Sequence, residues 1–171
     1  MRLLEWYRQR DLNKIQAQSQ TTYAGFENST SYLLFYEYSQ LAQAEVAAWE
    51  ALLKEEGKVV DCIALYTAKE KEMPRDIYPQ YILAKESTWW GKPKGEVFNK
   101  LLQKKYDVFI DLSSGDHIAA KYLRYGSNAA LKVNFGHQKK PWSDLQLDFK
   151  LKEQGPAARA ALLKLLAFIN K

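Results

Sequence analysis

From its amino end the chain runs through a polar stretch with scattered apolar positions. Over residues 1–20, Leu3, Leu4, Tyr7 and Ile15 are spaced loosely as one face of a helix. This predicts a short helix packed on the domain or serving as an arm, followed by a connector over residues 20–30. The pattern then becomes regular. Residues 31–36, Ser-Tyr-Leu-Leu-Phe-Tyr, form a short apolar run of the kind that makes a strand buried on both faces. Residues 39–56 set Leu41, Ala44, Ala48, Trp49, Leu52 and Leu53 on one side at helical spacing, with Ser39 as N-cap and Gly57 as terminator. Residues 59–66 repeat the buried-strand pattern and complete a β-α-β unit, for which a right-handed crossover is expected.

The alternation continues. A polar loop over residues 67–79, broken by Pro74 and Pro79, leads to a third strand at 81–84, and Trp-Trp-Gly-Lys-Pro-Lys-Gly at 89–95 reads as a loop. Residues 96–105 predict a helix with Val97, Phe98, Leu101 and Leu102 inward, and 107–112 the clearest parallel strand of the chain. Ser113, Ser114, Gly115 and Asp116 turn into a helix carrying Ile118, Ala119, Tyr122 and Leu123; a fifth strand follows at 130–135 and a loop at 136–141. Leu145, Leu147 and Phe149 alternate with Gln146, Asp148 and Lys150, as in a half-exposed edge strand. Pro156 then opens a last helix with Ala158, Leu162, Leu165, Leu166 and Ile169 as its buried face. Strands alternating with helices imply an α/β three-layer sandwich, with a mainly parallel Rossmann-like sheet of five to six strands and an N-terminal helical arm. Residues 1–30 are expected to be the helix and connector, and 31–171 a single domain.

Composition narrows the classes of function. The 171 residues suit one domain, and 47% apolar with 26% charged residues is an ordinary globular mix. Lys and Arg number 25 against 20 Asp and Glu, but acidic residues are interspersed throughout. The Lys104-Lys105 and Lys139-Lys140 pairs serve as a helix-dipole partner and a solvated loop, so nucleic acid is not the expected partner. Cys62, the single cysteine, forms no internal disulfide and reads as a small core residue, pointing to a reducing, cytoplasmic interior. No stretch of about 18 apolar residues and no signal-peptide pattern occurs, so no membrane association is expected. His117 and His137 have no metal-ligand spacing. No glycine lies between Tyr36 and Gly57, where a dinucleotide pyrophosphate would need one, and neither a Walker A ending nor a Gly-x-Ser-x-Gly elbow is present. No cofactor is implied.

In such sheets ligands bind outside the carboxyl ends of the strands, near the point where strand order reverses. Two groups of residues belong there. Asp111, Ser113, Ser114, Gly115, Asp116 and His117 gather hydroxyls, amide N–H groups, carboxylates and an imidazole at the start of a helix, an environment suited to an anionic group. The plainer reading is capping, with Ser114 or Asp116 as N-cap and Asp111 anchoring the turn. A catalytic reading makes Asp111 or Asp116 a base assisted by His117. The second group is Trp89, Trp90 and Lys92, whose rings could stack on a sugar or base while lysine meets phosphate, or whose first role could be structural. Aromatics reach 13% of the chain, and Trp89, Trp90, Tyr38, Tyr66 and Trp142 are those falling in or beside loops.

Two resemblances attach to these residues. Lys105-Tyr106-Asp107-Val108-Phe109-Ile110-Asp111-Leu112-Ser113, with Ile118 to Leu123 and Lys132-Val133-Asn134-Phe135-Gly136, resembles the heptosyltransferase family over about a fifth of the chain. That resemblance implies the acceptor-side Rossmann-like domain of a two-domain transferase, whose donor-binding domain has no counterpart in these 171 residues. More broadly, the basic N-terminal helix, the strand at 31–36, the Leu53-Lys54-Glu55-Glu56-Gly57-Lys58 helix end, the Trp-Gly-Lys-Pro loop and the closing helix to Ile169-Asn170 are similar to a family of small Bacteroidetes proteins, a domain of unknown function. It implies a cytoplasmic, single-domain, Rossmann-like protein. Three functions are carried forward: a non-catalytic binding module for a small anionic ligand or a protein partner at the carboxyl edge, a glycosyl- or phosphoryl-transferase-like enzyme, and a structural module forming a homodimer.

Overall fold

The computed structural model describes residues 2–16, 22–67, 80–113, 115–135, 143–147 and 155–169. In chain order these form α1 (Arg2–Gln16), β1 (Ser31–Glu37), α2 (Gln40–Glu55), β2 (Val59–Tyr66), β3 (Gln80–Leu83), α3 (Glu96–Gln103), β4 (Lys105–Asp111), α4 (Ile118–Gly126), β5 (Asn128–Phe135), β6 (Leu145–Leu147) and α5 (Pro156–Phe168). The six strands make one sheet in the order β3-β2-β1-β4-β5-β6, and every pairing is parallel. The chain moves outward from β1 to β3, returns through α3 to β4 on the other side of β1, and moves outward again. The order therefore reverses between β1 and β4.

A parallel sheet survives only when both faces are covered, and the residues of β1 show how this happens. Tyr32, Leu34 and Tyr36 point into a core with Val46, Trp49 and Leu53 of α2 and Ala158, Leu162 and Leu166 of α5. Leu33 and Phe35 point the opposite way, with Ile63, Phe109, Phe98 and Leu101 of α3, and Ala119, Tyr122 and Leu123 of α4. Alternation places successive side chains on opposite faces. Because both faces are dry, the strand reads as a continuous apolar run. Cys62 lies buried in the α2 side of this core, and burial with Glu50 beside it pushes the thiol up to about 12, which leaves no thiolate near neutral pH.

Helix α2 is capped as expected: the Ser39 hydroxyl accepts from Ala42 N–H at 3.1 Å, and Gly57 follows the last turn at φ +72°. Several inward positions differ from the sequence expectation. On α5 Leu165 and Ile169 are exposed while Leu162 and Leu166 are buried. On α2 Ala44 is exposed, and Ala42 and Val46 take the inner face with Trp49 and Leu53. On α1 the face expected from Leu3, Leu4, Tyr7 and Ile15 packs only in part, through Leu4 and Ile15. Leu3 and Tyr7 are exposed, and Leu12 is the buried residue. The packed stripe is Leu4, Arg8, Asp11, Leu12 and Ile15, a helical repeat in which polar side chains bond to neighbouring backbone and rings instead of marking a solvent face. Strands β4 and β5 each begin two residues before their apolar runs, extended by pairing Lys105 with Asn128 and Tyr106 with Ala129. The half-buried β6 is an edge strand beside β5; Phe149 lies outside the described residues, as do Pro74, Pro79, His137 and Trp142.

At the amino ends of β1 and β4, Asp107 Oδ2 accepts from Thr30 N–H at 2.7 Å, Ser31 N–H at 2.9 Å, Ser31 Oγ at 3.0 Å and Thr30 Oγ1 at 3.3 Å. Partial burial works against the charge, but these four hydrogen bonds hold the carboxyl below its ordinary value. A depressed carboxyl pKa contributes stability that is present above the unfolded-state value and lost as pH falls through the folded-state one. Asp107→Asn is expected to cost about 1–3 kcal/mol near neutral pH. Denaturant melts below about pH 4 should then show a shallower loss of stability in the variant than in the natural chain.

Candidate functional site

The carboxyl edge of the sheet is organised by a buried ion pair. Asp111 ends β4 and Arg124 lies in the last turn of α4; neither side chain has exposed surface. Arg124 Nε donates to Asp111 Oδ2 at 2.5 Å, while Asp111 Oδ1 accepts from the N–H and the hydroxyl of Ser113 at 2.8 and 2.6 Å. Arg124 Nη2 donates in turn to Ser113 Oγ at 2.9 Å and to the Gly115 carbonyl at 2.8 Å. Burial pushes the Asp111 carboxyl up, and the guanidinium and the Ser113 hydrogen bonds oppose that rise. Lys132 of β5 closes the far end: its buried Nζ donates to the Arg124 and Tyr125 carbonyls at 3.1 and 3.3 Å, and burial lowers its pKa. The side chains that sequence reasoning grouped as a site are thus partly structural. Asp111 anchors the turn as expected, with its oxygens engaged and no solvent access.

Capping of α4 falls to a different residue from the two proposed. His117 is the N-cap, its Nδ1 accepting from Ala119 N–H at 3.2 Å. Asp116 stands one residue too early to reach the first helical amides, so its exposed carboxylate pairs with Lys121 at 3.0 Å instead. Ser114 lies outside the described residues. Gly115 lies close to Glu37 at the end of β1, where a Cβ would meet the flexible carboxylate end of that side chain. The crevice between β1 and β4 therefore has the Glu37 carboxylate beside Gly115, while Asp116 pairs with Lys121 and lies 3.8 Å from Arg124 Nη1. Among the described residues no group of three His, Cys, Asp or Glu side chains is placed to hold a metal ion.

The second candidate group forms a different surface. After β3 the chain makes a tight loop, closed by Thr88 N–H to the Lys92 carbonyl at 2.8 Å, Gly91 N–H to the Thr88 carbonyl at 2.9 Å and a bridge between Ser87 and Pro93. Gly91 has φ +94°, and a Cβ on it would meet Ile118 Cγ2 at 2.8 Å; this contact sets the loop against the start of α4. Helix α1 packs along α4 and grips the loop from outside. Arg8 Nε donates to the Trp90 carbonyl at 2.7 Å, Trp90 Nε1 donates to Asp11 Oδ2 at 3.1 Å, and Lys92 Nζ lies 3.7 Å from the same oxygen. Trp90 is thereby held, and Lys92 is partly neutralised.

Between α1 and Trp90 lies a cleft of about 180 Å³ lined by Tyr7, Arg10, Asp11, Lys14 and Trp90. Beside it the aromatic rings touch edge to face in series: Trp90 with Trp89 at 5.3 Å between centroids, Trp89 with Tyr7 at 5.3 Å, and Tyr7 with Trp6 at 5.0 Å. Arg10 sits 5.3 Å from the Trp6 ring. Of this surface the sequence had singled out Trp89, Trp90 and Lys92; it missed Trp6, Arg10, Asp11 and Lys14. The signal for the α1 contribution was the spacing of Trp6, Arg10 and Lys14 at i, i+4 and i+8, hidden under the weak apolar periodicity of that helix.

A model described as a family of unknown function, DUF6913, matches residues 2–169. No curated protein and no solved structure matches the chain.

Removing one partner of an enclosed ion pair leaves Asp111 to be buried unpaired or to take up a proton. Arg124→Met should therefore cost about 3–5 kcal/mol, whereas Asp111→Leu combined with Arg124→Met should cost less than the sum of the two single changes. Equilibrium urea unfolding of the three variants measures this.

Proposed function

We propose, for a chain that belongs to DUF6913, a family of unknown function, that it is an accessory binding domain that takes an anionic group in the cleft between α1 and the loop after β3. The observation that carries this reading is the pairing of fixed aromatic rings with two exposed cations, Arg10 and Lys14, around one cleft. Trp90 is held by Asp11 and supplies a rigid wall that loses little freedom when a ligand arrives. Asp11 is the one carboxylate of the cleft, and its Oδ2 is turned to Trp90 and Lys92. The two exposed cations therefore set the sign of the surface. The cleft volume suits a phosphoryl group, a carboxylate or a small ring, well below the several hundred Å³ of a site that encloses a whole drug-sized ligand.

The crevice at the β1–β4 switch point supports this reading less well, since Glu37 would oppose an anion there and Asp116 already engages Lys121. The catalytic alternative needs an accessible base: Asp111 is enclosed and His117 Nδ1 is engaged by Ala119, which leaves the exposed Asp116, paired with Lys121, as its one candidate. No helix among the described residues is long and apolar enough to cross a membrane.

The test is a thermal-shift and tryptophan-fluorescence panel of inorganic phosphate, nucleotides, sugar phosphates and poly-glutamate. At least one anion should stabilise the fold, with an affinity that falls as salt rises. Arg10→Glu and Lys14→Glu, at exposed positions that should leave the fold intact, should each weaken it about tenfold, or about 1.4 kcal/mol. No response to any anion, or a response indifferent to both reversals, refutes the reading.

A further inference from the structure

The cleft accounts for only part of the exposed aromatic surface. Leu3, Trp6, Tyr7 and Trp89 remain 66%, 52%, 39% and 63% exposed and lie beside it. An anion in the cleft would leave Leu3, Trp6 and Trp89 in water. At about 150–250 Å² for a large side chain, these four residues present roughly 330–550 Å² of open surface, about half of the ~800 Å² each partner contributes to a specific protein interface. The strip from Leu3 to Lys14 spans twelve helical residues, about 16 Å at the helical rise. It has the composition of an interaction hot spot, with Trp, Tyr and Arg at its centre.

Charge selects the occupant. Arg10 and Lys14 border the strip, Asp11 is turned inward, and Glu5 lies on the opposite flank of α1, 3.6 Å from Arg8. A second copy of this chain docked on the same strip would bring the two sets of cations together. Insertion into a lipid surface is opposed by exposed Gln9 and Asn13, which flank Trp6 on the outer face of α1 and bond to each other at 2.8 Å. A polypeptide segment with carboxylates beside aromatic or aliphatic side chains satisfies both parts of the surface.

We infer that the partner of this surface is an acidic, amphipathic segment of another protein, whose carboxylate enters the cleft at Arg10 and Lys14 while its apolar side chains cover Trp6, Trp89 and Leu3. This rests on the anion-binding reading of the cleft and deepens it. Its test is selection of phage-displayed random peptides on the immobilised full chain. Binders should be enriched in Asp and Glu adjacent to aromatic or aliphatic residues. A synthetic binder should lose at least tenfold in affinity on Arg10→Glu or Lys14→Glu, and again on Trp6→Ala or Trp89→Ala, by fluorescence anisotropy with unchanged circular dichroism.

No enrichment, binders without acidic residues, or affinity indifferent to the tryptophan changes would each overturn the inference. So would co-sedimentation with anionic phosphatidylglycerol vesicles through Trp6 in a chain that selects no peptide, which would assign the strip to a lipid surface. If phosphate or poly-glutamate still binds in a Lys14-dependent way while peptide selection fails, the anion-binding cleft stands and the polypeptide partner falls. If both fail, so does the reading on which the inference rests.

Discussion

The Asp111–Arg124 pair, enclosed between the end of β4 and the last turn of α4, is the constraint on which the carboxyl edge of the sheet depends. A carboxylate placed in a dry interior is tolerable only if a cation and hydrogen-bond donors meet it there. Arg124 and Ser113 supply them, and in doing so they fix the turn through Gly115 that leads into α4. The C-terminal carbonyls of α4 are then met by Lys132, a second buried cation, so both ends of the helix are tied to the central strands. Three charged side chains that would ordinarily face solvent thus fasten a helix to a parallel sheet.

With α4 set in place, the rest of that face follows by contact. Ile118 at its first turn receives Gly91, which positions the loop after β3, and its surface receives α1. Helix α1 buries little of itself, Leu12 being its one buried apolar residue, so its hold on the domain relies on directed bonds from Arg8 and Asp11 to Trp90. Those bonds turn its polar stripe inward and leave Trp6 and Tyr7 outside. An aromatic surface on an otherwise polar helix is the consequence of an inner face that needs polar groups.

The two ends of the carboxyl edge consequently differ in charge. At the switch point between β1 and β4, where ligands of such sheets are usually held, the Glu37 carboxylate stands near an Asp116 already paired with Lys121. Beside β3, Arg10 and Lys14 set a positive field next to fixed rings. The cleft lies not in the sheet's own crevice but at its border with α1, and its lining comes from Tyr7, Arg10, Asp11 and Lys14 of α1 together with the distant Trp90.

Much of the fold was legible because burial on two faces writes itself directly into strands such as Tyr32 to Tyr36 and Val108 to Ile110, and because Ser39 and Gly57 are local signals for the ends of one helix. The loop at Trp89 and Trp90 was also legible from its turn residues, but that Trp90 packs against the core while Trp89 stays exposed was not. The inner face of α1, the cap of α4 and the partners of Asp111 were not. Periodicity in α1 marked apolar side chains, but Arg8 and Asp11 face inward to satisfy a carbonyl and an indole more than 75 residues away. By itself the sequence determined the alternation of elements, the two-sided core and an excess of aromatic residues beyond it. Only the tertiary structure decided which carboxylate would be enclosed, which would stay exposed and which side of α1 would be left open. Local patterns report how much of a segment is buried, whereas the pairing of a charge depends on which distant group the fold brings within about 3 Å of it.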